Sequence, residues 1–334
     1  MNLKCLLSCF LIIFIFLSGC SIDDISKYPQ VDMESHTGVK KVTIATGGVS
    51  GTYFSIGSGI SAIMTKYVDN LDAIAESTGA SVANSKLLRD GFVDFMLASA
   101  STIDSAYYGK DVFEGNPAKN IVGIASLYPE VFQFIVLKSS NMRSVSDLVG
   151  KRVVVGSVDS GTERISKIIL SAHGISYNDI DEQFLGFSEA VDALKDGKTD
   201  CIIVASGLPT SAVVDISAVV EIALLDVDKL MVSEVLPMYP FLKFETIEEG
   251  IYSSVNRDTL SISTPALLAT SITMEEDIVY NITKAIFEHV DELESIHSQA
   301  KNIRLNTAIS AMPVPLHPGA ERYYREVGIL DTPD

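Results

Sequence analysis

The fold is indicated by residues 42–52, which read Val42-Thr43-Ile44-Ala45-Thr46-Gly47-Gly48-Val49-Ser50-Gly51-Thr52. The β-branched run predicts a strand, and the small residues after it predict a tight loop that opens a helix. The Ser-Gly-Thr triplet at 50–52 returns at 160–162, again after a β-branched run at 153–155. Two strand–loop–helix units in the same setting predict two similar α/β lobes, each directing a helix N-terminus at a shared cleft.

A second pair of related stretches supports this duplication. Residues 88–94 (LRDGFVD) resemble residues 194–200 (LKDGKTD), and in both copies an apolar run and then Ala-Ser follow. Small-residue turns between strand and helix are common in α/β proteins, but paired motifs in register are harder to obtain by chance. Unpaired N–H groups at helix N-termini carry partial positive charge, so two of them facing one cleft favour an anion.

The N-terminal residues predict export and lipid anchoring. Residues 1–19 combine an early Lys4, an apolar run over 5–16 and small residues ahead of Cys20. The run is too short to cross ~30 Å of hydrocarbon, which favours a signal peptide. It resembles a bacterial lipobox, in which Cys20 becomes the lipidated first residue; the alternative is an ordinary signal peptide with a chance cysteine. Residues 20–40 predict a flexible tether to a body facing the periplasm or the cell exterior.

Composition narrows the possible partners. The net charge of −18 argues against nucleic acid and against docking on anionic lipid, although it does not exclude an anionic ligand, because local dipoles govern a site. Of the four cysteines, two lie in the predicted signal peptide and Cys201 lies in an apolar run. We therefore expect Cys201 to be a buried, unreactive thiol and expect no disulfide framework.

Strand and helix patterns alternate along the body, which predicts an α/β fold with largely parallel sheets. Predicted strands cover 42–46, 71–76, 95–98, 121–127, 131–137, 152–155, 201–205 and 267–270, and predicted helices cover 53–67, 82–89, 144–149, 163–173, 189–195, 275–296 and 320–327. Ser188 is predicted to cap the helix at 189–195, and residues 107–119 are predicted as loop. Crossings near 132–137 and 263–270 predict lobe 1 at 41–132 and 263–334, and lobe 2 at 133–262.

Enzyme signatures are mostly absent from the sequence. The loop at 47–52 lacks the lysine of a P-loop, neither Ser-Gly-Thr copy sits in a Gly-x-Ser-x-Gly elbow, and the five histidines show no metal-ligand spacing. We therefore expect no enzyme activity, no cofactor and no metal. Ser160 and Glu163 fit a helix capping box, so a structural role for Ser160 is as plausible as ligand contact.

Several stretches, taken jointly and in order, resemble the TAXI subfamily of TRAP-transporter solute receptors. The resemblance runs from about 42 to 328, and the stretches that carry it are 43–48, 51–54, 76–82 with Asn84, 147–153 with Gly156, 160–163, 188–194 and 315–324. It implies a type II periplasmic-binding-protein fold with a hinged interdomain cleft. It also implies a receptor that hands a small carboxylate-type solute to an ion-gradient-driven permease without chemistry on the solute.

The resemblance also implies a set of ligand contacts. Carried over by position, they are Gly48, Ser50, Gly51, Thr52, Tyr53, Glu76, Ser77, Thr78, Asn84, Ser160, Gly161 and Thr162. Ser99 and Ser101 stand where family members often carry Gln and Asp, so the anchor for a ligand ammonium is missing and a plain carboxylate is favoured. A sensory lipoprotein without a transport role would share these residues. An enzyme on the same fold and an adhesive lipoprotein are further alternatives.

Overall fold

One sheet of ten strands runs through the part of the chain that the computed structural model describes, residues 38–331. The predicted signal peptide, Cys20 and nearly all of the predicted tether lie outside these residues. From Val39 onward the chain forms one compact unit. Among the described residues, none of the helices combines the length and the apolarity needed to cross a bilayer.

The first lobe begins with strand–helix repeats. They are β1 (Lys40–Ala45), α1 (Thr52–Tyr67), β2 (Leu71–Glu76), α2 (Ser81–Arg89), β3 (Phe95–Ser99), α3 (Ala100–Tyr108) and the long strand β4 (Ile121–Leu137). The strand β1 pairs in parallel with β2 and with β3. Because parallel strands are buried on both faces, β3 reads as a continuous apolar run and all five of its residues are buried.

The second lobe repeats this pattern. It contains β5 (Arg152–Gly156), α4 (Gly161–Ala172), β6 (Asp181–Phe184), α5 (Phe187–Lys195), β7 (Cys201–Ser206), α6 (Ser211–Ser217), β8 (Ile222–Leu224), α7 (Lys229–Val235) and β9 (Lys243–Ile247). The strand β5 pairs in parallel with β6 and with β7. Cys201 lies buried in β7, as its apolar surroundings predict.

The chain then returns to the first lobe. The elements are β10 (Thr259–Ser271), α8 (Glu276–Glu288), α9 (Val290–Ile296) and α10 (Pro318–Glu326). The strand order is β2-β1-β3-β10-β4-β7-β5-β6, with β8 beside β4 and β9 beside β10. The antiparallel strands β4 and β10 therefore join two parallel halves, and each half carries apolar clusters on both faces.

Several sequence expectations require correction. The largely parallel sheets expected are one mixed sheet, because β4 and β10 pair antiparallel with each other and with all their other neighbours. The two strands expected at 121–127 and 131–137 are one strand, because Pro129 lies opposite Pro265 on β10, at a ladder position where neither residue needs to donate an N–H. The helix expected at 275–296 is broken at His289, whose φ of −127° is not helical and whose ring stacks on Tyr67 at 3.5 Å between centroids. Residues 107–119 are not all loop, because α3 extends to Tyr108 and ends at Gly109, which has the left-handed conformation common after helices.

Candidate functional site

A cavity of about 260 Å³ lies between the two lobes. The first lobe contributes the loops before α1 and α2, and the second lobe contributes the loops before α4 and α5 and the end of β7. The lining residues are Gly47, Gly48, Gly51, Thr52, Tyr53, Thr78, Gly79, Ala80, Ser157, Ser160, Thr162, Gly186, Phe187, Glu189, Ala205 and Ser206. The cavity thus lies where parallel strands end and helices begin, which is the usual ligand position in open α/β sheets.

Four helices begin at the cavity wall. The residues that precede α1, α2, α4 and α5 are Gly51, Ala80, Ser160 and Gly186, and all four line the cavity. Within the described residues, the backbone N–H groups of Gly161 and Thr162 donate to no acceptor. The sequence predicted two helix N-termini at the cleft, those of α1 and α4, and the structure places four at the cavity wall. Unpaired N–H groups with partial positive charge suit an anionic group of a ligand.

The loop before α2 holds an unusual backbone conformation at the wall. Ala80 has φ of 70° and ψ of −150°, a region that residues with a Cβ rarely adopt. Its N–H donates to Oγ1 of Thr78 at 3.1 Å, and its carbonyl oxygen accepts the N–H of Asn84 at 2.8 Å. Such strain costs of order 1–3 kcal/mol and is found mainly at functional sites. The loop is therefore held in place by its neighbours rather than by its own preference.

The lobes are in direct contact across the cavity. The Ser206 hydroxyl of the second lobe donates to Oγ1 of Thr52 in the first lobe at 2.9 Å, and its oxygen accepts the Thr52 N–H at 3.2 Å. Beside the cavity, the Ser188 hydroxyl donates to the Ser50 hydroxyl at 2.9 Å. These bonds join the start of α1 to the second lobe across and beside the cavity.

The start of α4 packs tightly against the first lobe. A Cβ atom added to Gly161 would lie 2.8 Å from Oγ of Ser81 and 3.2 Å from Oγ of Ser99. The carbonyl oxygen of Asp159 also accepts the N–H of Ala83 at 3.1 Å, and its carboxylate pairs with Lys86 at 2.8 Å. Glycine at 161 is thus required by the approach of the two lobes.

The charges at the cavity come from backbone dipoles and acids. Among the lining residues, Glu189 is the one charged side chain, and its Oε2 accepts the N–H of Gly186 at 3.2 Å. Beneath the wall, the Tyr53 hydroxyl donates to Oε2 of Glu130 at 2.7 Å. Glu130 is buried, and this burial raises the pKa of its carboxyl group from 4.5 to about 8. No lysine, arginine or histidine stands among the lining residues to neutralise an anion.

The structure places the predicted contacts in two groups. Seven of them line the cavity: Gly48, Gly51, Thr52, Tyr53, Thr78, Ser160 and Thr162. Ser160 also fulfils half of the expected capping box, since its Oγ accepts the Glu163 N–H at 3.0 Å, while the Glu163 carboxylate accepts the Tyr177 hydroxyl at 2.8 Å instead. Ser160 therefore caps α4 and also lines the cavity.

The other predicted contacts lie behind or beside the wall. Asn84 is fully buried, and its side-chain amide donates to the Thr46 carbonyl oxygen at 2.6 Å and to that of Leu97 at 2.7 Å. Ser77 is exposed and donates to the Gly47 carbonyl oxygen at 3.0 Å. The remaining members of this group are Ser50 and Gly161, which contact the opposite lobe, Ser99 and Ser101, which are buried, and Glu76, which is exposed at the end of β2.

Sequence reasoning missed several lining residues of the second lobe. Ser206 belongs to the Ala-Ser pair that follows each apolar run, so that repeat could have identified it. Phe187 could not be found in this way, because α5 was expected to begin after Ser188, whereas it begins at Phe187 with Gly186 as its N-cap. Within the described residues, no group of three or more His, Cys, Asp or Glu side chains is arranged to hold a metal ion.

Comparison with known proteins places this architecture in a family. The NMT1-like family matches residues 44–328. The chain belongs to the NMT1-like family. A protein from Bordetella bronchiseptica RB50 of known structure is 16% identical over 84% of both chains, with a TM-score of 0.51. The structure of PhnD1 from Prochlorococcus marinus MIT 9301, in complex with methylphosphonate, is 12% identical over 87% of this chain and 99% of that chain, with a TM-score of 0.51.

At these identities the likeness concerns the fold. This NMT1-like protein has the mixed α/β, two-lobed fold of periplasmic binding proteins, as predicted. The fold is defined by the two crossing strands β4 and β10 and by the cleft where the helices of both lobes begin.

Proposed function

We propose that this protein is an exported solute receptor that closes its two lobes around a small carboxylate-type anion and delivers it to a TRAP-type membrane permease. The observation that carries the proposal is the convergence of four helix N-termini on one cavity between the lobes. Lobe closure excludes water, which strengthens hydrogen bonds from these backbone N–H groups to an anion. In this proposal the carboxylate lies at the starts of α2 and α4, and Tyr53 and Phe187 surround the rest of the solute.

We expect the solute to bind those polar groups of the cavity wall that have no hydrogen-bond partner in the described structure. The Thr162 hydroxyl lines the cavity and has no hydrogen-bond partner among the described residues, whereas the Thr52 hydroxyl already bonds Ser206. We therefore expect Thr162 and the N–H groups of Gly161 and Thr162 to bind the carboxylate. Thr52 instead stabilises closure.

A role as an enzyme is disfavoured by the same geometry. Among the described residues, the one hydrogen-bonding contact between a serine or threonine hydroxyl and a histidine ring is between Oγ1 of Thr52 and Nε2 of His297, at 3.4 Å. The Thr52 hydroxyl also lies 3.4 Å from the Gly207 carbonyl oxygen and accepts the Ser206 hydroxyl, so it is engaged in holding the lobes together. His297 itself does not line the cavity. A receptor that binds its solute unchanged fits these contacts better.

The partner and the anchor are the finer parts of the proposal. The resemblance of the stretches around 76–84 and 315–324 to the TAXI subfamily supports a TRAP-type permease. The lipobox-like sequence at Cys20 supports a lipid anchor with the body facing the periplasm or the cell exterior. A sensory lipoprotein that passes the ligand signal to another protein is the second candidate, since it would need the same cleft.

A thermal-shift screen tests the ligand class. The chain from residue 20 onward, carrying Cys20→Ser, would be heated with C4–C6 dicarboxylates, acidic amino acids, 2-oxo acids and neutral controls. A ligand at 100 times its dissociation constant stabilises the folded chain by about 2.7 kcal/mol, which gives a clear rise in Tm. A rise with one carboxylate class, reduced in Thr162→Val and kept in the exposed control Thr307→Val, would support the site. No rise with any carboxylate would contradict the proposed ligand class.

Uptake by whole cells tests the permease. Cells that take up the carboxylate identified in the screen would be treated with an ionophore that collapses ion gradients, and separately depleted of ATP while a gradient is imposed. Loss of uptake with the ionophore alone supports a TRAP-type partner. Dependence on ATP under an imposed gradient would contradict it, and uptake unaffected by deletion of this chain's gene would favour the sensory candidate.

A further inference from the structure

We propose that closure of the cleft is linked to protonation of Glu130, the buried carboxyl group beneath the cavity wall, so that the closed form binds one proton more than the open form. The proposal rests on the proposed function only in taking the cleft as the place where the lobes open and close. It gives Glu130, which no ligand contact explains, a role as a positioning residue that acts through Tyr53.

The position of Glu130 is the first support. It lies on β4 opposite Thr264 of β10, at the strand pair that joins the lobes, and is 6% exposed. Among the described residues its one hydrogen-bond partner is the Tyr53 hydroxyl, at 2.7 Å. An ionised carboxylate has about four lone-pair sites, so a single donor leaves the charged form poorly satisfied. A protonated carboxyl group is better suited to this environment.

The surroundings of Glu130 offer little polar compensation. The hydroxyl groups of Tyr128, on the same strand, and of Thr264 are both buried without a hydrogen-bond partner in the described structure. A charged carboxylate would normally recruit such hydroxyl groups as donors, since hydrogen bonds to a charged acceptor are about twice as strong as neutral ones. Neither hydroxyl group donates to Glu130 in the described structure, so Tyr53 is its one donor there.

The connection to closure runs through Tyr53 and Ser81. Tyr53 lines the cavity, and its hydroxyl lies 3.3 Å from Oγ of Ser81. Ser81 is covered by Gly161 of the opposite lobe, at a distance that leaves no room for a Cβ atom. When the lobes separate, Gly161 leaves this contact and water can reach the hydroxyl groups above Glu130. Opening the cleft thus hydrates the carboxyl group and favours its ionised form.

Among the described residues, no lysine, arginine or histidine bonds Glu130 or shifts its pKa. The basic groups on α2, α8 and α10 pair with acids elsewhere: Lys86 with Asp159, Arg89 with Asp90, Lys284 with Glu288, Arg322 with Glu276 and Arg325 with Glu321. Near the turn at Ser298–Asn302, His297 contacts Thr52, and Lys301 is exposed. From α5, Glu189 is bound to the Gly186 N–H. The other titratable groups close to Glu130 are the hydroxyls of Tyr53 and Tyr128.

The direction of the effect follows from the two forms. Burial raises the pKa of Glu130 in the closed form to about 8, whereas a hydrated carboxyl group titrates near 4.5. Between these values the closed form holds the proton and the open form has released it. The ratio of closed to open molecules should therefore fall by up to tenfold for each pH unit between about 5 and 8, and should level off above that range.

Distance measurements between the lobes test the linkage without any ligand. Spin labels at Glu114→Cys and Lys167→Cys would be placed on exposed positions of opposite lobes in the chain carrying Cys20→Ser, where the remaining Cys201 is buried. The distance between the two labels would be measured by double electron–electron resonance from pH 5 to pH 9. We expect the closed fraction to fall with rising pH in the otherwise native chain and to stay constant in Glu130→Gln, which mimics the protonated acid.

Two further variants make the result specific. Glu292→Gln is the matched control, because Glu292 also accepts a tyrosine hydroxyl, that of Tyr67, but on the exposed surface. It should behave like the native chain. Tyr53→Phe removes the one donor that favours the ionised form, so the pKa of Glu130 in the closed form should rise and the fall in closed fraction should continue to higher pH. A closed fraction that does not change with pH in the native chain, or that changes equally in Glu130→Gln, would overturn the proposal.

The outcome is separable from that of the ligand screen. Failure to find a carboxylate ligand would leave the pH dependence of the interlobe distance unchanged, because that measurement contains only protein and buffer. Conversely, a carboxylate that raises the Tm equally at pH 6 and pH 8.5 in both the native chain and Glu130→Gln would support the receptor and overturn the proton linkage.

Discussion

Replacing Glu130 with glutamine should make the folded protein more stable at neutral and alkaline pH, although the change removes a hydrogen-bonded carboxyl group. Glutamine keeps the shape of the side chain and the oxygen that accepts the Tyr53 hydroxyl. It carries no charge at any pH, so the cost of holding an ionisable group in a buried position disappears. Most substitutions of buried residues are destabilising, which makes the expected direction unusual.

The magnitude follows from the pKa of the buried group. Burial raises this pKa from 4.5 to about 8, a difference of about 3.5 units. At about 1.36 kcal/mol per unit, the difference corresponds to about 5 kcal/mol. Between the two pKa values the folded chain holds the proton and the unfolded chain has released it, so the free energy of unfolding of the native protein falls as pH rises through this window. The advantage of Glu130→Gln should be small at pH 5 and largest near pH 8.

Urea unfolding at pH 5, 6, 7, 8 and 8.5 measures this gap. The chain contains 14 Phe and 12 Tyr but no Trp, so tyrosine fluorescence and far-UV circular dichroism would be followed together to establish two-state behaviour. Three histidines whose pKa values are lowered by burial, His173, His297 and His317, titrate in every variant and cancel in the comparison. In the control Glu292→Gln, hydrogen bonds from Tyr67 and Lys66 lower the pKa of the native carboxyl group.

The free energy of unfolding of Glu292→Gln should therefore run parallel to that of the native protein between pH 5 and pH 8.5, because the Glu292 carboxylate of the native protein stays ionised over this range. The reasoning would be refuted if Glu130→Gln also ran parallel, with a gap that changed by less than about 1 kcal/mol over this range. A gap that widened with pH in both variants would equally refute it, because burial would then not be the cause.

Three other substitutions or treatments test the site and the core. Thr162→Val should weaken binding of the carboxylate identified by thermal shift by about tenfold in calorimetry, since a hydrogen bond is worth about 1 kcal/mol and more to a charged acceptor, while the ligand-free Tm stays within a few degrees. Gly161→Ala should abolish the ligand-induced rise in Tm, because its Cβ would lie 2.8 Å from Oγ of Ser81 in the closed form; retained binding would refute the tight approach. Cys201 should react with a thiol reagent only in denaturant, since burial raises the pKa of its thiol, and rapid labelling of the native chain would contradict its position in β7.

The sequence predicted those features of the fold that depend on local pattern. The strand–loop–helix unit at 42–67 and its copy in the second lobe follow from β-branched runs, small-residue loops and amphipathic helices, and both lobes show them. The continuity of β4 could not be predicted, because Tyr128-Pro129-Glu130 has the composition of a turn. Its pairing with β10, in which Pro129 lies opposite Pro265, makes this segment part of a strand.

The candidate site likewise contains residues that the sequence could indicate and residues that it could not. The loops that precede α1 and α4 are visible as Ser-Gly-Thr triplets, so their residues could be proposed from sequence. Glu130 could not, since its partner Tyr53 lies 77 residues away and nothing near either residue in the chain indicates the contact. Asn84 shows the converse, because the motif around it suggested ligand contact, whereas its amide is occupied by backbone carbonyl oxygens of β1 and β3.

The balance between open and closed forms is set by interactions that are individually weak. The ion pair between Lys86 and Asp159 is partly exposed, with 37% and 45% of the side chains accessible, and such pairs contribute about 0–1 kcal/mol. The hydroxyl contacts of Ser188 with Ser50 and of Ser206 with Thr52 are neutral and contribute about 1 kcal/mol each. A closed form held by a few such contacts differs little in free energy from the open form. In the proposed function the bound carboxylate would shift this balance, and in the proposed linkage a proton on Glu130 would do the same.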